Sequence, residues 1–302
     1  MIRRLITAFL CFFVLAGCAQ EAPPPKSETV PRKTLLIGLI PEQNIFNQLE
    51  RYEPLAGYLS MKTGAKVKLK ILRRYGNIID NFKSAGLDGA FFGSFTYALA
   101  HAKLGVEVLA RPVANDNTST YHGLIIVRKD SSIRNIGGMR GKRFAFVDKA
   151  TTAGYLLPLE YFRRHGISDY KVYLKEAYFA GTHEDAIYDV LNKKADIGAA
   201  KNTVFNRMAA EHPRIRDELS VLERSPDVPE NAIALRKDID EPMRMRLKDA
   251  LLSMHTDPEG KKALERLGAL RFTETTNEDY DVVVKYAEAI HLNLTSYDYT
   301  ND

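Results

Sequence analysis

From residue 35 onward the chain repeats one pattern, a short apolar run followed by a longer stretch whose apolar residues recur every three or four positions. A short, nearly continuous apolar run is how a strand buried on both faces reads, and a 3.6-residue period is how a helix with one buried stripe reads. The runs at 35–40, 67–71, 87–92, 106–109, 124–127, 144–147, 172–174 and 197–200 are predicted strands. Predicted helices cover 45–61, 78–82, 98–104, 154–164 and 183–192, with a further one running through Ala210. In the first helix Ile45, Leu49, Tyr52, Leu55, Ala56 and Leu59 make the stripe, and Gly64 follows as a stop. Val67, Leu69 and Ile71 alternate with lysines, so that strand has one wet face. Strand followed by helix, repeated without a fixed internal period, predicts an α/β architecture of mostly parallel sheets flanked by helices. A length of 302 residues corresponds to about two domains.

The composition, 45% hydrophobic and 27% charged, is that of a globular protein and excludes a disordered or disulfide-stapled chain. The formal charge is 43 − 38 = +5, and Arg3 and Arg4 supply two of those charges. The remainder is spread thinly, so no nucleic-acid partner is expected. The beginning of the chain is more specific. Met1-Ile2-Arg3-Arg4 is a positive head, residues 5–15 carry no charge, and Leu15-Ala16-Gly17-Cys18 resembles the bacterial lipoprotein cleavage motif. Residues 1–17 are therefore expected to be a signal peptide and Cys18 the lipidated residue; the alternative is a plain signal peptide with a chance cysteine. With two cysteines in all, Cys11 leaves with the leader and Cys18 carries lipid, which excludes disulfides and thiolate chemistry from the folded body. Residues 18–33 hold four of the 13 prolines and read as an extended tether. No second apolar run reaches spanning length.

Enzyme motifs are absent. There is no His-Glu-x-x-His and no Gly-x-Ser-x-Gly. Gly137-Gly138-Met139-Arg140-Gly141-Lys142 has the wrong glycine spacing for a phosphate loop, and Arg143 stands where a hydroxyl would meet magnesium. The seven histidines fall at 101, 122, 165, 183, 212, 255 and 291, with no pair at a helical ligand spacing. His183-Glu184-Asp185 are consecutive and point in different directions on a helix, so they cannot converge on a metal. Neither catalysis, a metal nor a cofactor is expected.

Three strand-to-helix junctions carry a sharper reading. They are Phe144-Ala145-Phe146-Val147-Asp148-Lys149-Ala150-Thr151-Thr152-Ala153-Gly154, Gly181-Thr182-His183-Glu184-Asp185-Ala186, and Phe92-Gly93-Ser94-Phe95-Thr96-Tyr97. Each places hydroxyls or an imidazole where the first-turn N–H groups of a helix lack partners and the helix dipole favours negative charge. Taken singly, each reads first as something plainer: an N-cap at Thr151 or Thr152, a surface residue at His183, and a capped turn with core aromatics at 92–97. Three helix starts at the C-terminal ends of strands can face one crevice and together make a neutral oxyanion cradle.

With these junctions and the stretches Leu36-Ile37-Gly38-Leu39-Ile40-Pro41 and Glu53-Pro54-Leu55-Ala56-Gly57-Tyr58-Leu59-Ser60, in this order and spacing, the sequence resembles the phosphate/phosphite/phosphonate-binding proteins of ABC transporters, often called PhnD-like. The resemblance runs from about residue 36 to at least 206 and more weakly beyond. It implies a two-lobed type 2 periplasmic-binding-protein fold that closes on its ligand. One lobe would combine 34–123 with 226–302 and the other would hold 124–225, with crossings near Tyr121-His122-Gly123 and Arg224-Ser225-Pro226. It also implies that Tyr75, Tyr97, Thr151, Thr152 and His183 surround the tetrahedral group. Asp196 matches an acid conspicuous in the family; its alternative is a structural acid at a strand start. Ala153 departs from the family loop, where a second serine is usual, and Thr182 replaces a serine before His183. The function implied is a membrane-tethered, monomeric solute-binding protein that delivers a phosphorus oxyanion to an ABC permease. The alternative is a sensory module that signals through the same cleft to a histidine kinase. Thr152→Val is expected to remove binding while leaving the melting temperature within a few degrees.

Overall fold

The computed structural model describes residues 33–301, so the leader, Cys18 and the tether up to residue 32 lie outside the described residues. The chain lays down β1 (Thr34–Leu39), β2 (Lys66–Ile71), β3 (Gly89–Phe92) and β4 (Glu107–Ala114), then passes through the short β5 (Thr120–Tyr121). It continues with β6 (Gly123–Arg128), β7 (Arg143–Phe146), β8 (Glu176–Phe179), β9 (Ile197–Lys201) and β10 (Leu219–Arg224). It returns through β11 (Val228–Pro229), which pairs with β5, and adds β12 (Ala232–Leu235) and β13 (Ala269–Glu274). The result is a six-stranded sheet in the order β13-β4-β12-β3-β1-β2 and a five-stranded sheet in the order β10-β6-β9-β7-β8.

Mostly parallel describes the strand directions but not the pairings. β1 pairs in parallel with β2 and β3, whereas β12 is inserted antiparallel between β3 and β4, and β13 pairs antiparallel with β4. In the second sheet β7 is parallel to β8 and β9, and β6 runs against both β9 and β10. Both sheets are therefore mixed. β6 and β12 are the first strands laid down after each crossing and enter from the far side. An apolar run buried on both faces reads the same in either direction, so this reversal has no sequence signal.

The helices are α1 (Ile45–Thr63), α2 (Asn77–Asp80), α3 (Ser94–Leu104), α4 (Leu157–Arg164), α5 (Tyr170–Tyr173), α6 (His183–Leu191), α7 (Asn202–Glu211), α8 (Pro213–Glu218), α9 (Glu241–Ser253), α10 (Pro258–Leu267) and α11 (Asp281–Ala289). α1 begins where the Asn44 side chain accepts the Phe46 and Asn47 N–H groups and stops at Gly64, whose φ of 73° is left-handed. Tyr52, Leu55, Ala56 and Leu59 are buried as the stripe requires, while Ile45 is exposed at the first turn. The strand expected at 172–174 is instead the helical turn α5, and the strand follows it as β8. Asp169 caps that turn by accepting the Lys171 N–H, Tyr170 lays its ring 5.1 Å from Phe146, and Val172 is left in solvent.

One buried cluster lies between the sheets and joins Phe92, Phe95 and Tyr121 to Ala145, Val147 and Ile187. A second packs the outer face of the six-stranded sheet against α1, α9 and α10, and a third packs Phe144, Phe146 and Phe162 on the outer face of the five-stranded sheet. Each large side chain removed from water in this way contributes about 1.5–3 kcal/mol.

Candidate anion site

The first junction is built around a missing donor. Pro158 sits in the first turn of α4 and has no N–H, so it cannot bond the carbonyl four residues back, which belongs to Gly154. That carbonyl instead accepts the Val147 N–H at 3.1 Å, which closes residues 147–154 into a loop. The turn Thr152–Leu156 takes the wider π-helical form, with the Leu156 N–H reaching the Thr151 carbonyl at 3.0 Å. Gly154 is required for this closure, because a Cβ there would stand 2.4 Å from Cβ of Val147. Inside the loop the Ala150 N–H donates to Asp148 Oδ1 at 2.8 Å, and the Thr151 hydroxyl donates to the Asp148 carbonyl at 2.6 Å.

The other two junctions meet this loop. At the start of α3 the Phe95 N–H donates to Thr152 Oγ1 at 2.8 Å, and Thr96 Oγ1 donates to the Ala150 carbonyl at 2.7 Å. Ser94 Oγ lies 3.1 Å from the Tyr121 hydroxyl and donates to the Pro229 carbonyl at 2.5 Å. At the start of α6, Thr182 is the cap and accepts the Asp185 N–H at 2.9 Å. His183 follows, buried, with its ring 6.0 Å from that of Tyr75. The Lys201 N–H donates to His183 Nδ1 at 3.2 Å, which puts the imidazole proton on Nε2. Burial pulls the His183 pKa down to about 3, so the ring is a neutral donor at physiological pH. Tyr75 is 2% exposed, and its hydroxyl has no hydrogen-bond partner among the described residues.

Thr152 thus meets the start of α3, the Gly181 N–H ahead of α6 donates to the Val147 carbonyl at 3.0 Å, and His183 packs on Tyr75, while the Thr151 hydroxyl proton is spent within its own loop. Ala153 is buried against Gly123 of β6. Two expected residues lie elsewhere. Tyr97 points away: its hydroxyl donates to Asn277 Oδ1 at 3.4 Å and its ring lies 4.6 Å from that of Tyr280. Successive helical residues turn by about 100°, so a helix that aims the 95–96 backbone at the loop sends residue 97 to another face. Asp196 binds Arg143, accepting its backbone N–H at 2.9 Å and its guanidinium at 3.2 Å. That pair stands at the beginning of the parallel strands β7 and β9, whereas the anion loop follows the end of β7, roughly 13 Å away at 3.3 Å per residue. Asp196 is a structural acid that ties two strand starts together.

The residues that sequence reasoning missed form an ion cluster beside the junction. Lys201, at the end of β9, is 4% exposed; its ammonium meets Glu42 at 3.2 Å, Asn231 Oδ1 at 3.2 Å and also Glu230, and it lies 4.4 Å from the centre of the Tyr121 ring. Burial pushes the Glu42 carboxyl up, but the Lys201 ammonium, His183, the Asn231 amide and Arg207 outweigh it and hold the pKa at about 2. Burial likewise works against the Lys201 charge, and Glu230 and Glu42 raise its pKa above the ordinary value regardless. A cavity of about 250 Å³ reaches the cluster and is lined by Arg51, Tyr52, Lys201, Arg207, Glu230 and Asn231 among others. The one signal available was a charge directly ending an apolar run, at Lys201 after residues 197–200 and at Glu42 after Pro41.

Neutral donors gathered at helix starts, with the nearby cation already neutralised, can hold an oxyanion by hydrogen bonds. No group of three or more His, Cys, Asp or Glu placed to hold a metal occurs among the described residues. Two mixed sheets, joined by two crossings and with strand ends meeting over such a junction, define a ligand-holding protein of the type 2 periplasmic-binding class. A binding-protein component of an ABC phosphonate transporter from Pseudomonas aeruginosa has this fold, with a TM-score of 0.79 at 23% identity over 84% of this chain and 85% of that one. So does PhnD1 from Prochlorococcus marinus, solved with methylphosphonate, with a TM-score of 0.76 at 23% identity over 85% of this chain and 97% of that one. The family model described as "ABC transporter, phosphonate, periplasmic substrate-binding protein" matches residues 37–280, and the chain belongs to that family. The phosphonates-binding periplasmic protein of Escherichia coli is 28% identical over 275 residues, covering 89% of this chain and 79% of that protein. Members of the family are extracytoplasmic substrate-binding proteins that serve a permease, not enzymes.

Proposed function

We propose that this chain captures a phosphorus oxyanion, a phosphonate, phosphite or phosphate, between its two sheets and delivers it to an ABC importer while held to the membrane by lipid on Cys18. The observation that carries the ligand reading is the Tyr75 hydroxyl, buried and without a hydrogen-bond partner among the described residues, on a ring that packs against the neutral His183 imidazole. A buried polar group left unmade costs about 1–3 kcal/mol, and a ligand oxygen at this junction would satisfy it. Thr152 would complete the shell, and Thr151 supports the loop instead of donating. The lobes are 34–123 with 226–302, and 124–225, and the protein works as a monomer. The sorting of strands 34–114 and 232–274 into one sheet and 123–224 into the other supports that division.

The test is a thermal-shift panel of phosphate, phosphite, methylphosphonate, aminoethylphosphonate and sulfate. A ligand at about 100 times its Kd adds about 2.7 kcal/mol, which raises melting by several degrees. A shift confined to one or more phosphorus ligands is expected; no shift, or a shift with sulfate alone, would overturn the reading. The anchor is tested separately. Cys18→Ser is expected to move the protein from the membrane fraction to the soluble extracytoplasmic fraction, and wild-type recovery in membranes would refute the lipid.

A further inference from the structure

We propose that residues 292–301 are a strap that completes the anion site and that Asn301 is a positioning residue for the loop 148–152. The inference rests on the reading of that loop as ligand-binding. After α11 the segment has no regular structure, yet it is pinned on both sides of the junction. The Thr295 carbonyl accepts Lys103 Nζ at 2.7 Å, and the Tyr299 hydroxyl donates to Asp80 Oδ1 at 2.6 Å. The Tyr299 ring lies on Gly76, the neighbour of Tyr75, so closely that a Cβ there would stand 2.6 Å from its Cδ2. Those partners belong to the side of the six-stranded sheet. On the other side the Tyr297 hydroxyl donates to the Lys149 carbonyl at 3.0 Å. The Asn301 side chain then uses both of its ends: Oδ1 accepts the Lys149 N–H at 3.0 Å, and Nδ2 donates to Asp148 Oδ2 at 2.9 Å.

Asp148 and Lys149 directly precede the turn that presents Thr151 and Thr152. Asp148 is 0% exposed, and its carboxylate is also the acceptor for Ala150 inside the loop. An amide that bonds a buried carboxylate and the next backbone N–H together leaves that loop little freedom. Tyr299 and Asn301, two residues apart, therefore hold one wall of the junction each. Separating the walls to release a ligand requires the strap to let go of at least one.

The experiment compares the full chain with Asn301→Ala and Asn301→Asp. Its readouts are the association and release rates of methylphosphonate and the hydrogen exchange of residues 148–152 without ligand. Asn301→Ala removes both the bond to the Asp148 carboxylate and the one from the Lys149 N–H, and is expected to release methylphosphonate at least about tenfold faster, with association within about twofold. Exchange in 148–152 should rise by a similar factor while melting stays within a few degrees. Asn301→Asp keeps the acceptor for Lys149 but sets a carboxylate against Asp148, and should release faster still. Wild-type release and exchange in both variants would overturn the strap. If methylphosphonate does not bind the unaltered chain, the phosphorus ligand that shifts its melting replaces it in the rate measurements; if none does, the ligand reading has failed, and the exchange of 148–152 alone decides whether Asn301 positions the loop.

Discussion

Lys201→Met is expected to destabilise the chain by about 3–5 kcal/mol, the range for removing one partner of a buried ion pair. In a protein of this size that lowers the melting temperature by roughly 5–15 °C. Glu42 and Glu230 both face the Lys201 ammonium, and removing it leaves two largely buried carboxylates facing each other without their counter-charge. The Glu42 pKa of about 2 lies below the ordinary 4.5, so the favourable charge interaction is complete above pH 4.5 and is lost as pH falls through about 2. Without Lys201 the same carboxyl has burial acting on it with less to oppose it, and the variant should instead regain stability on mild acidification. The triple variant Lys201→Met, Glu42→Gln, Glu230→Gln should recover most of the loss. Calorimetric melting at pH 7 and pH 5 checks all three. A single variant that melts within about 2 °C of wild type would show the carboxylates to be solvated.

Thr152→Val should weaken ligand binding by about 10- to 100-fold, the equivalent of one hydrogen bond to a charged group. The geometry changes the other half of that expectation. Thr152 Oγ1 is the acceptor for the Phe95 N–H, a backbone donor in a fully buried residue, and valine removes it. An orphaned buried N–H costs about 1–3 kcal/mol, so the unliganded variant should melt several degrees lower instead of near wild type. Serine at the same position keeps the oxygen and should restore both properties. Titration calorimetry that returns wild-type affinity for valine would leave Thr152 as a connector between sheets with no role at the ligand.

The alternation of strand and helix was legible because each element carries its own period, and the three helix starts were legible because their caps are local. Thr182 bonds a residue three positions on, and the loop at 147–154 closes within itself. What escaped is non-local. Lys201 and Glu42 are 159 residues apart, and each reads in sequence as the polar stop of an apolar run. Only the fold shows that the two stops face each other. Tyr97 and Asp196 mark the opposite limit. Matching a motif locates a residue on an element but not the face to which its side chain turns. Tyr97 turned toward Tyr280, and Asp196 stood at the wrong end of its strand.

The two crossings between the sheets are not separate threads. Tyr121 pairs with Val228 and Thr120 with Pro229, the Glu230 N–H reaches the Ser119 carbonyl at 2.9 Å, and Gly123 and Ser225 bond each other at the far end. A laddered pair of strands flexes out of its own plane far more readily than its rungs slip, because slipping would break every bond at once. Any relative movement of the two sheets would accordingly follow a fold like that of a book about its spine. Tyr121, whose ring lies against the Lys201 ammonium and whose hydroxyl meets Ser94, is bound into that spine. The part of the molecule that would turn is also a wall of the place where an anion would sit.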